Sequence, residues 1–499
     1  MKFRKILAAA AALCIAVPTA IAGQVAALDP APVKGDVNSD FIFNLADVVM
    51  YQRWLRGAGK LMADTNGDVN GDGVCDVLDL SAMRKLLIDC MTTAPTPNFA
   101  PKAQNLCAGI ASSKVTESRA DEKFINSQTA FTVELFKQAY AENEDHENAL
   151  ISPYSVMQAL SMTANGAAGD TRTEMENVLG GGMPMEELNQ YLLSQRKRSI
   201  NPEYNDYNKW QMSTANSIWA IDDKSRIDVR PEFIQNCVDY YDSEFYIAPF
   251  DKTTLDDVNG WVNDKTHEMI PSILDHIGDN DVMYLVNAVA FAAEWMEPFM
   301  DYQINKGEFT SYNGEIQKAD MLCSWEHYIG DENTNGMVKA YSGGRYEFAA
   351  LLPDESMTID QYIEELTPEK LNGLLTQKNY DIKADIKLPK FSYDYENELS
   401  GELESMGMPT AFSDDADFTN MSSIADRHPL HIDRVIHKTF IDLDENGTKA
   451  AAATLVAMVD GEAMAREIKE VNFDRPFVYC IFDAQTYVPV FIGAVNSLS

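Results

Sequence analysis

Near the C-terminus the chain reads ENGTKAAAATLVAMVDGEAMAR from Glu445 to Arg466, and any fold it adopts has to find a use for this stretch. Two are open. As a helix, the alanines Ala450, Ala451, Ala452 and Ala453 are the best formers available, Asn446 can cap them, and Leu455, Val456 and Met458 supply an apolar face. Extended, the same residues put Thr448, Ala450, Ala452, Thr454 and Val456 on one face and Lys449, Ala451, Ala453, Leu455 and Ala457 on the other. The one charge then points outward, and the small side chains meet little steric resistance in sliding between two existing strands. Gly447 stands where such a chain would pivot. The extended reading requires a large sheet with room for one more strand. Val282 to Phe291, apolar almost without a break, suits the middle of that sheet, buried on both faces.

A chain of 499 residues is long for a single core and predicts two or three units. A formal charge of −37 argues against nucleic acid and anionic membranes, whose recognition needs a basic footprint. The start, MKFRK followed by ILAAAAALCIAVPTAIA, reads as a secretory signal peptide over residues 1–22, with Ala20-Ile21-Ala22 as the cleavage site. Pro18 and the small residues at its end favour removal over retention as an anchor. Of seven cysteines, removal leaves Cys75, Cys90, Cys107, Cys237, Cys323 and Cys480, too scattered to define a disulfide framework.

Between Gly35 and Asp89 the chain repeats itself. Asp36, Asn38, Asp40, Asn44 and Asp47 recur as Asp68, Asn70, Asp72, Asp76 and Asp79, an offset of 32 residues. Each set supplies oxygen ligands at loop positions 1, 3, 5, 9 and 12, with a backbone carbonyl from Ile42 or Val74 at position 7, the donor set of a calcium loop. One helix follows each loop (DVVMYQRWLRG and DLSAMRKLLID), whereas LDPAPVKG before Asp36 leaves no room for an entering helix. Duplicated loop-helix units with Asp at position 12 resemble a dockerin, here residues 34–91. The resemblance implies two calcium ions and a cohesin domain of a cellulosome scaffold as partner. It assigns the cohesin contact to Leu45, Ala46, Val77 and Leu78, with Arg53, Arg84 and Lys85 nearby; for Leu45 and Val77 a place in the module's own core is the equal alternative. Phe41 stands where the loop turn favours glycine. Residues 92–120, rich in Pro, Ala, Ser and Thr without periodicity, read as a linker.

From Asp121 the pattern is globular. Phe124 to Tyr140 forms an amphipathic helix, and Ser152-Pro153 and Ser155 open another with Val156, Ala159, Leu160 and Met162 at helical spacing. No nucleophile-elbow motif accompanies these serines, so capping is their expected role. The run NALISPYSVMQALSMTANGAAGDT resembles a signature of the serpins, and ENGTKAAAAT resembles the hinge of their reactive-centre loop. NGWVNDKTHEMI resembles the family's central helix, VMYLVNAVAFAAEWMEPF a central strand, and LPKFSYDY another strand. VIHKTFIDL resembles the strand that supports the loop, and FDRPFVYCIFD with PVFIGAVNSL the C-terminal strands. Residues 121–499 are thereby expected to be a serpin domain, α+β, with mixed sheets, surrounding helices and an exposed reactive-centre loop.

What the resemblance implies is not an enzyme but a suicide inhibitor of serine proteases. A protease cleaves the loop, the loop inserts into the central sheet, and the protease is trapped. The hinge comprises Glu445, Gly447, Thr448 and Ala450 to Ala453. Counting from the hinge puts the reactive bond at Gly461-Glu462; counting back from Pro476 leaves Met458, Met464, Ala465 and Arg466 as alternatives. Elastase-, subtilisin-, chymotrypsin- and trypsin-like targets stay open accordingly. Ser152, Ser155, Asn287 and His437, with Trp295, match the cluster where the sheet parts. A non-inhibitory serpin-fold binding component is the alternative function, and a hydrolase borne on a dockerin finds no catalytic constellation to support it.

Overall fold

The computed structural model describes residues 34, 35, 37, 50, 51, 54, 55, 60, 61, 64–69, 73–77, 79, 80, 82 and 83, then 99–498 except 144–145, 202–207, 267–269, 279–280, 378–380 and 449–466. The chain forms two units, Met1–Thr96 and Pro97–Ser499.

In the first unit, Val37, Tyr51, Val69, Leu80 and Met83 are buried together. Positions 51, 54 and 55 and positions 80 and 83 are helical, so the i, i+3, i+4 spacing read from the two repeats faces one small core. The repeats interlock through their entry glycines: Gly35 N–H donates to the Asn66 carbonyl at 2.9 Å. A Cβ on Gly67, the residue before the second loop, would lie 2.8 Å from the Tyr51 ring.

The second unit is built on two sheets. A seven-stranded sheet contains β1 (Gln104–Asn105), β3 (Trp210–Ile221), β4 (Glu244–Ala248), β5 (Met283–Glu294), β11 (Phe391–Glu398), β12 (Val435–Leu443) and β13 (Gly447–Thr448), in the order β1-β4-β3-β5-β13-β12-β11. A nine-stranded sheet contains β2 (Ala149–Ile151), β6 (Ile304–Thr310), β7 (Ile316–Gly330), β8 (Thr334–Ala340), β9 (Tyr346–Pro353), β10 (Ile382–Pro389), β14 (Glu467–Asn472), β15 (Phe477–Asp483) and β16 (Pro489–Val495). Its order is β14-β10-β7-β8-β9-β15-β16-β2, with β6 on β7.

Burial follows the sequence pattern strand by strand. Every residue of β5 but Ala292 is buried, as its unbroken apolar run requires, whereas β12 alternates, burying Val435, His437, Thr439, Ile441 and Leu443. The helix Pro153–Ala164 is buried over its whole length; Ser152 caps it, accepting from Ser155 N–H, and Pro153 opens it. Asp121 caps Glu122–Ala141 through Phe124 N–H. Among the described residues no helix is long and apolar enough to cross a membrane.

Three sequence expectations change. LPKFSYDY is two strands: β10 ends at Pro389, Lys390 crosses, and β11 begins at Phe391 in the other sheet. The helix expected over Asn259 to Ile270 is Lys252–Lys265, begun earlier by the Asp251 cap. Residues 92–120 are not a free linker over their described part. From Phe99 onward they lie on the second unit, with Gln104 paired to Ile247 and Asn105 to Tyr246. Ala103 N–H donates to Asp257 Oδ2 at 2.8 Å and Ser113 N–H to Asp239 Oδ1 at 2.6 Å. Such contacts are made by the backbone, which is why composition did not disclose them.

Phe99 docks over Gly260 so closely that a Cβ there would lie 2.3 Å from the ring. Gly260→Ala alone is expected to lower the thermal midpoint by displacing Phe99, although alanine is the better helix former by about 1 kcal/mol. Combined with Phe99→Ala, the same change is expected to become neutral or stabilising. Thermal unfolding of the two single variants and the double variant checks the reversal of sign.

Candidate functional site: the seam of the seven-stranded sheet

Strands β5 and β12 run parallel and hydrogen-bond directly only along Leu285 to Ala288, opposite Val435 to Lys438. At their far ends another piece of chain lies between them. After Leu443 the backbone reverses, and Gly447 and Thr448 come back antiparallel to both strands. Thr448 is partnered with Leu443 on one side and Ala293 on the other, and Gly447 with Glu294.

The reversal is held by Asp444. Its Oδ1 accepts from Asn446 N–H at 2.7 Å and Gly447 N–H at 3.2 Å, while its own N–H donates to the Gly447 carbonyl at 2.9 Å. No other residue fits at 447, since a Cβ would lie 2.0 Å from the Ala293 carbonyl oxygen. Thr448 is 2% exposed, and its hydroxyl meets the Tyr341 hydroxyl at 2.6 Å. Trp295 stacks on Tyr341 with ring centroids 4.4 Å apart, donates Nε1–H to the Asp444 carbonyl at 3.0 Å and backbone N–H to that of Asn446 at 2.7 Å. Glu445 accepts from Lys390 Nζ. Partial burial opposes ionisation of Glu445, but the Lys390 hydrogen bond and charge outweigh it and hold the carboxyl below its ordinary range. Beneath, the buried Lys339 ammonium pairs with Glu326 at 2.6 Å and lies 4.5 Å from the Phe299 ring centroid.

A second polar knot sits where β5 and β12 still touch. Asn287 and His437 are direct partners across the seam, and Asn216 is the partner of Asn287 on β3. Ser155 Oγ donates to Asn287 Oδ1 at 2.7 Å, and Asn287 Nδ2 donates to the Ser155 carbonyl at 2.9 Å and to Asn216 Oδ1. Ser152 N–H donates to His437 Nε2 at 3.0 Å, and Ser152 Oγ to the Val490 carbonyl at 2.8 Å. The helix Pro153–Ala164 is thus tied to both strands of the seam. Burial drives the His437 pKa down from 6.5 to about 3, so the ring is neutral, and Nε2 as acceptor places its proton on Nδ1. Nδ1 itself is buried and has no hydrogen-bond partner among the described residues.

The structure therefore brings together Ser152, Ser155, Asn287 and His437 as expected, and adds Asn216. It does not place Trp295 with them: Trp295 belongs to the turn at the far end, eight residues and roughly 26 Å of strand beyond Asn287. Of the hinge, Glu445, Gly447 and Thr448 are seen; Ala450 to Ala453 and the reactive-bond candidates Met458, Gly461, Glu462, Met464, Ala465 and Arg466 lie outside the described residues. Tyr341 and Lys390 were missed, although Lys390 stood in the quoted LPKFSYDY.

In the first unit, the second loop folds back on its own carboxylates. Asp79, wholly buried at position 12, accepts from Val69 N–H at 2.8 Å and Asp76 N–H at 2.9 Å, and Asp68 Oδ2 accepts from Gly73 N–H at 2.9 Å. Gly73, at position 6, has φ +85°, the turn an oxygen-donor loop needs. Asp68, Asp76 and Asp79 are hard donors suited to calcium. Among the described residues alone no three such side chains close a coordination sphere, and Asn70 and Asp72, which would complete it, lie outside them. So do Asp36, Asn38, Asp40, Asn44 and Asp47, and the cohesin-contact candidates Leu45, Ala46, Arg53, Leu78, Arg84 and Lys85. Val77 is 62% exposed, hence not core, and Val74 beside it is 59% exposed.

The sheet thus holds a turn of its own chain between two central strands, with a polar knot closing the rest of that seam. The comparisons give the chain its family. Residues 126–498 match the family model described as serpin (serine protease inhibitor), and residues 34–88 match the dockerin type I domain. An uncharacterized serpin-like protein of Methanosarcina acetivorans is 30% identical over 76% of this chain and 89% of its own. The leukocyte elastase inhibitor of Bos taurus is 28% identical over 75% and 100%. The crystal structure of a thermophilic serpin, tengpin, in the native state superposes with a TM-score of 0.73 at 40% identity, covering 79% of this chain and all of that one. Tengpin in the latent state gives 0.66 at 38% identity, covering 77% and all of that chain. The chain belongs to the serpin family and carries a type I dockerin domain at its N-terminal end. Serpins are in general protease inhibitors and not catalysts, and type I dockerins bind calcium and cohesins.

The sign of the His437 shift fixes a pH dependence. Its folded pKa lies below the unfolded value, so its contribution to stability is complete above about pH 6.5 and is lost as pH falls from there toward 3. His437→Gln, which keeps an acceptor for Ser152 N–H, is expected to remove up to about 1.4 kcal/mol per pH unit of this slope in urea unfolding between pH 4 and 6.

Proposed function

We propose that this chain is a secreted suicide inhibitor of serine proteases, anchored to a cellulosome-type scaffold through calcium-dependent binding of its dockerin to a cohesin. The observation that carries the inhibitory reading is the placement of Gly447 and Thr448 between β5 and β12, antiparallel to both. On this reading the two residues are where strand insertion begins, and the residues that follow in sequence are small.

Continuing that register by arithmetic sets Ala450 opposite Phe291 and Ile441, Ala452 opposite Val289 and Thr439, and Thr454 opposite Asn287 and His437. On this register a completed insertion replaces the Asn287–His437 contact with a threonine whose hydroxyl shares the Thr448 face. A buried polar knot that had to part is then offered a new partner in place of an unmet hydrogen-bond demand. Alanines at the two preceding inward positions fit the narrow space between strands already formed. From Thr448 to Gly461 an extended chain spans roughly 43 Å, and this is the scale of the displacement imposed on whatever is bound at the cleaved bond.

The chemistry begins on the protease. Its serine hydroxyl attacks the carbonyl of the reactive bond, best placed at Gly461-Glu462, and the Glu462 amine leaves. An ester then joins the protease to the new C-terminus. Insertion carries that ester away before water resolves it, at the expense of the protease's active-site geometry. This chain supplies no reacting group beyond the bait bond; its part is the downhill pairing of one more strand, about 0.5–1.5 kcal/mol net for each hydrogen bond.

In the dockerin, Asp36, Asn38, Asp40, Asn44 and Asp47 would hold one calcium ion and Asp68, Asn70, Asp72, Asp76 and Asp79 a second. Calcium supplies positive charge that gathers carboxylates otherwise repelling one another. The exposed Val77 and Val74 then form part of an apolar surface for the cohesin.

Mixing the full chain with elastase, subtilisin, chymotrypsin or trypsin is expected to give a denaturant-resistant complex with at least one of them and a released C-terminal peptide whose sequence fixes the bond. Thr448→Arg, which puts a charge at a position 2% exposed, is expected to abolish the complex while cleavage continues. Cleavage without any complex in the wild-type chain would support the non-inhibitory alternative. For the other module, Asp36→Ala with Asp68→Ala is expected to eliminate calcium-dependent cohesin binding in a pull-down, with protease trapping unchanged.

A further inference from the structure

The helix Lys252–Lys265 and the segment after it cover one face of the seven-stranded sheet, packing Val258, Trp261, Ile273 and Leu274 with Tyr284, Val286 and Ala288 of β5. The cover stops at β12. There a cleft of about 420 Å³ opens between residues 273–276 on one side and the neighbouring ends of β11 and β12 on the other. Its near wall is fixed by the helix: Asn259 Oδ1 accepts from Ile273 and Leu274 N–H, both at 2.9 Å, and Asn259 Nδ2 donates to the Leu274 carbonyl at 2.8 Å. Ile273 and Leu274, with Ile436 of β12, give the cleft an apolar lining.

Both signs of charge reach this lining. Arg434, just before β12, lies with its guanidinium 5.6 Å from the centroid of the Tyr284 ring, and Phe250 stacks on Tyr284 with centroids 5.2 Å apart. Phe250 holds that place at φ +57°, a left-handed backbone that is costly for an aromatic residue. Asp281 and Asp433 are near enough to feel the Arg434 charge, yet among the described residues no carboxylate forms an ion pair with it. On β11, Glu398 is in register with Ile436. Its Oε1 accepts from Ser400 N–H at 3.0 Å and Val435 N–H at 3.1 Å, which leaves Oε2 without a partner among the described residues. Asp275 and His276 make no side-chain hydrogen bond or ion pair among those residues either, whereas Glu396 is already paired with Lys438.

One strand spacing across and two residues along set the Arg434 and Glu398 backbones about 8 Å apart. Two residues of extended chain span about 7 Å. A ligand of one sign would leave half of these groups unmatched, and a ligand without apolar surface would leave the lining wet. We propose that the cleft binds a dipeptide with free ends and apolar side chains, its carboxylate on Arg434, its ammonium between Glu398 and Asp275, and its side chains on Ile273, Leu274 and Ile436. Such a site is independent of the inhibitory reading above, and its test involves no protease.

Calorimetric titration of the full chain with L-leucyl-L-leucine at neutral pH is expected to show a single saturable site of millimolar or better affinity. Acetylating the amine of the dipeptide, or amidating its carboxyl, is expected to weaken binding about tenfold in each case. Arg434→Gln is expected to abolish the discrimination against the amide, and Glu398→Gln with Asp275→Asn the discrimination against the acetylated form, which ties each end to its own residues. The capped ligands are compared on the unaltered chain, so the outcome stands even where a variant fails to fold. Absence of saturable binding overturns the assignment, as does undiminished binding of either capped form, the mark of a merely apolar groove. So does tighter binding of spermidine than of the dipeptide, which would make this a cation site. Discrimination that persists in full in both variants puts the dipeptide elsewhere and overturns it as well.

Discussion

The structure depends on a seam that is closed by very little. Direct hydrogen bonding between β5 and β12 is confined to Leu285–Ala288 and Val435–Lys438, and the polar knot of Ser152, Ser155, Asn216, Asn287 and His437 sits on those same residues. Elsewhere in the sheet neighbouring strands pair over most of their length: β3 and β5 share an unbroken register from Trp210 to Ala220. Cohesion is therefore uneven. Along this seam a few buried hydrogen bonds, each worth about 1 kcal/mol net, supplement the apolar core shared by Leu285, Val435, Phe291 and Ile441.

Placing polar side chains at that point has a physical rationale. An apolar patch would seal the seam non-directionally, and any partial opening would be opposed by its whole buried area. A hydrogen-bonded knot resists until its geometry fails and can be satisfied again by a different partner. His437 suits this role because burial keeps it neutral, so it accepts from Ser152 without introducing a charge that parting strands would have to carry. The turn at Gly447 is held in the same directional way, by Asp444, Trp295, Tyr341 and the Lys390–Glu445 pair.

Much of this was legible in the sequence, for identifiable reasons. The unbroken apolar run of β5 and the Ser152-Pro153 start of a buried helix are patterns that geometry imposes directly on the order of residues. What escaped was whatever depends on distant partners or on backbone alone. Tyr341 reaches Thr448 across 107 positions, and nothing near either residue announces the other. The packing of Phe99 and the pairing of Gln104 and Asn105 use main-chain groups and a missing Cβ, neither of which composition reports. Trp295, expected with Asn287 from the resemblance, follows β5 directly, and an extended chain separates residues far more than a helix of equal length does.

The edges of the seven-stranded sheet matter as well as its centre. An open margin is the easiest place on a large sheet for a stranger's backbone to attach. Here one margin is occupied by Gln104 and Asn105, laid against β4 by the chain's own approach segment. The other, β11, turns Ser392, Asp394, Glu396 and Glu398 outward, with Glu396 paired to Lys438 and Glu398 accepting from the N–H groups of Ser400 and Val435. One border of the sheet is thus closed by the chain's own backbone, and the other is lined with charge.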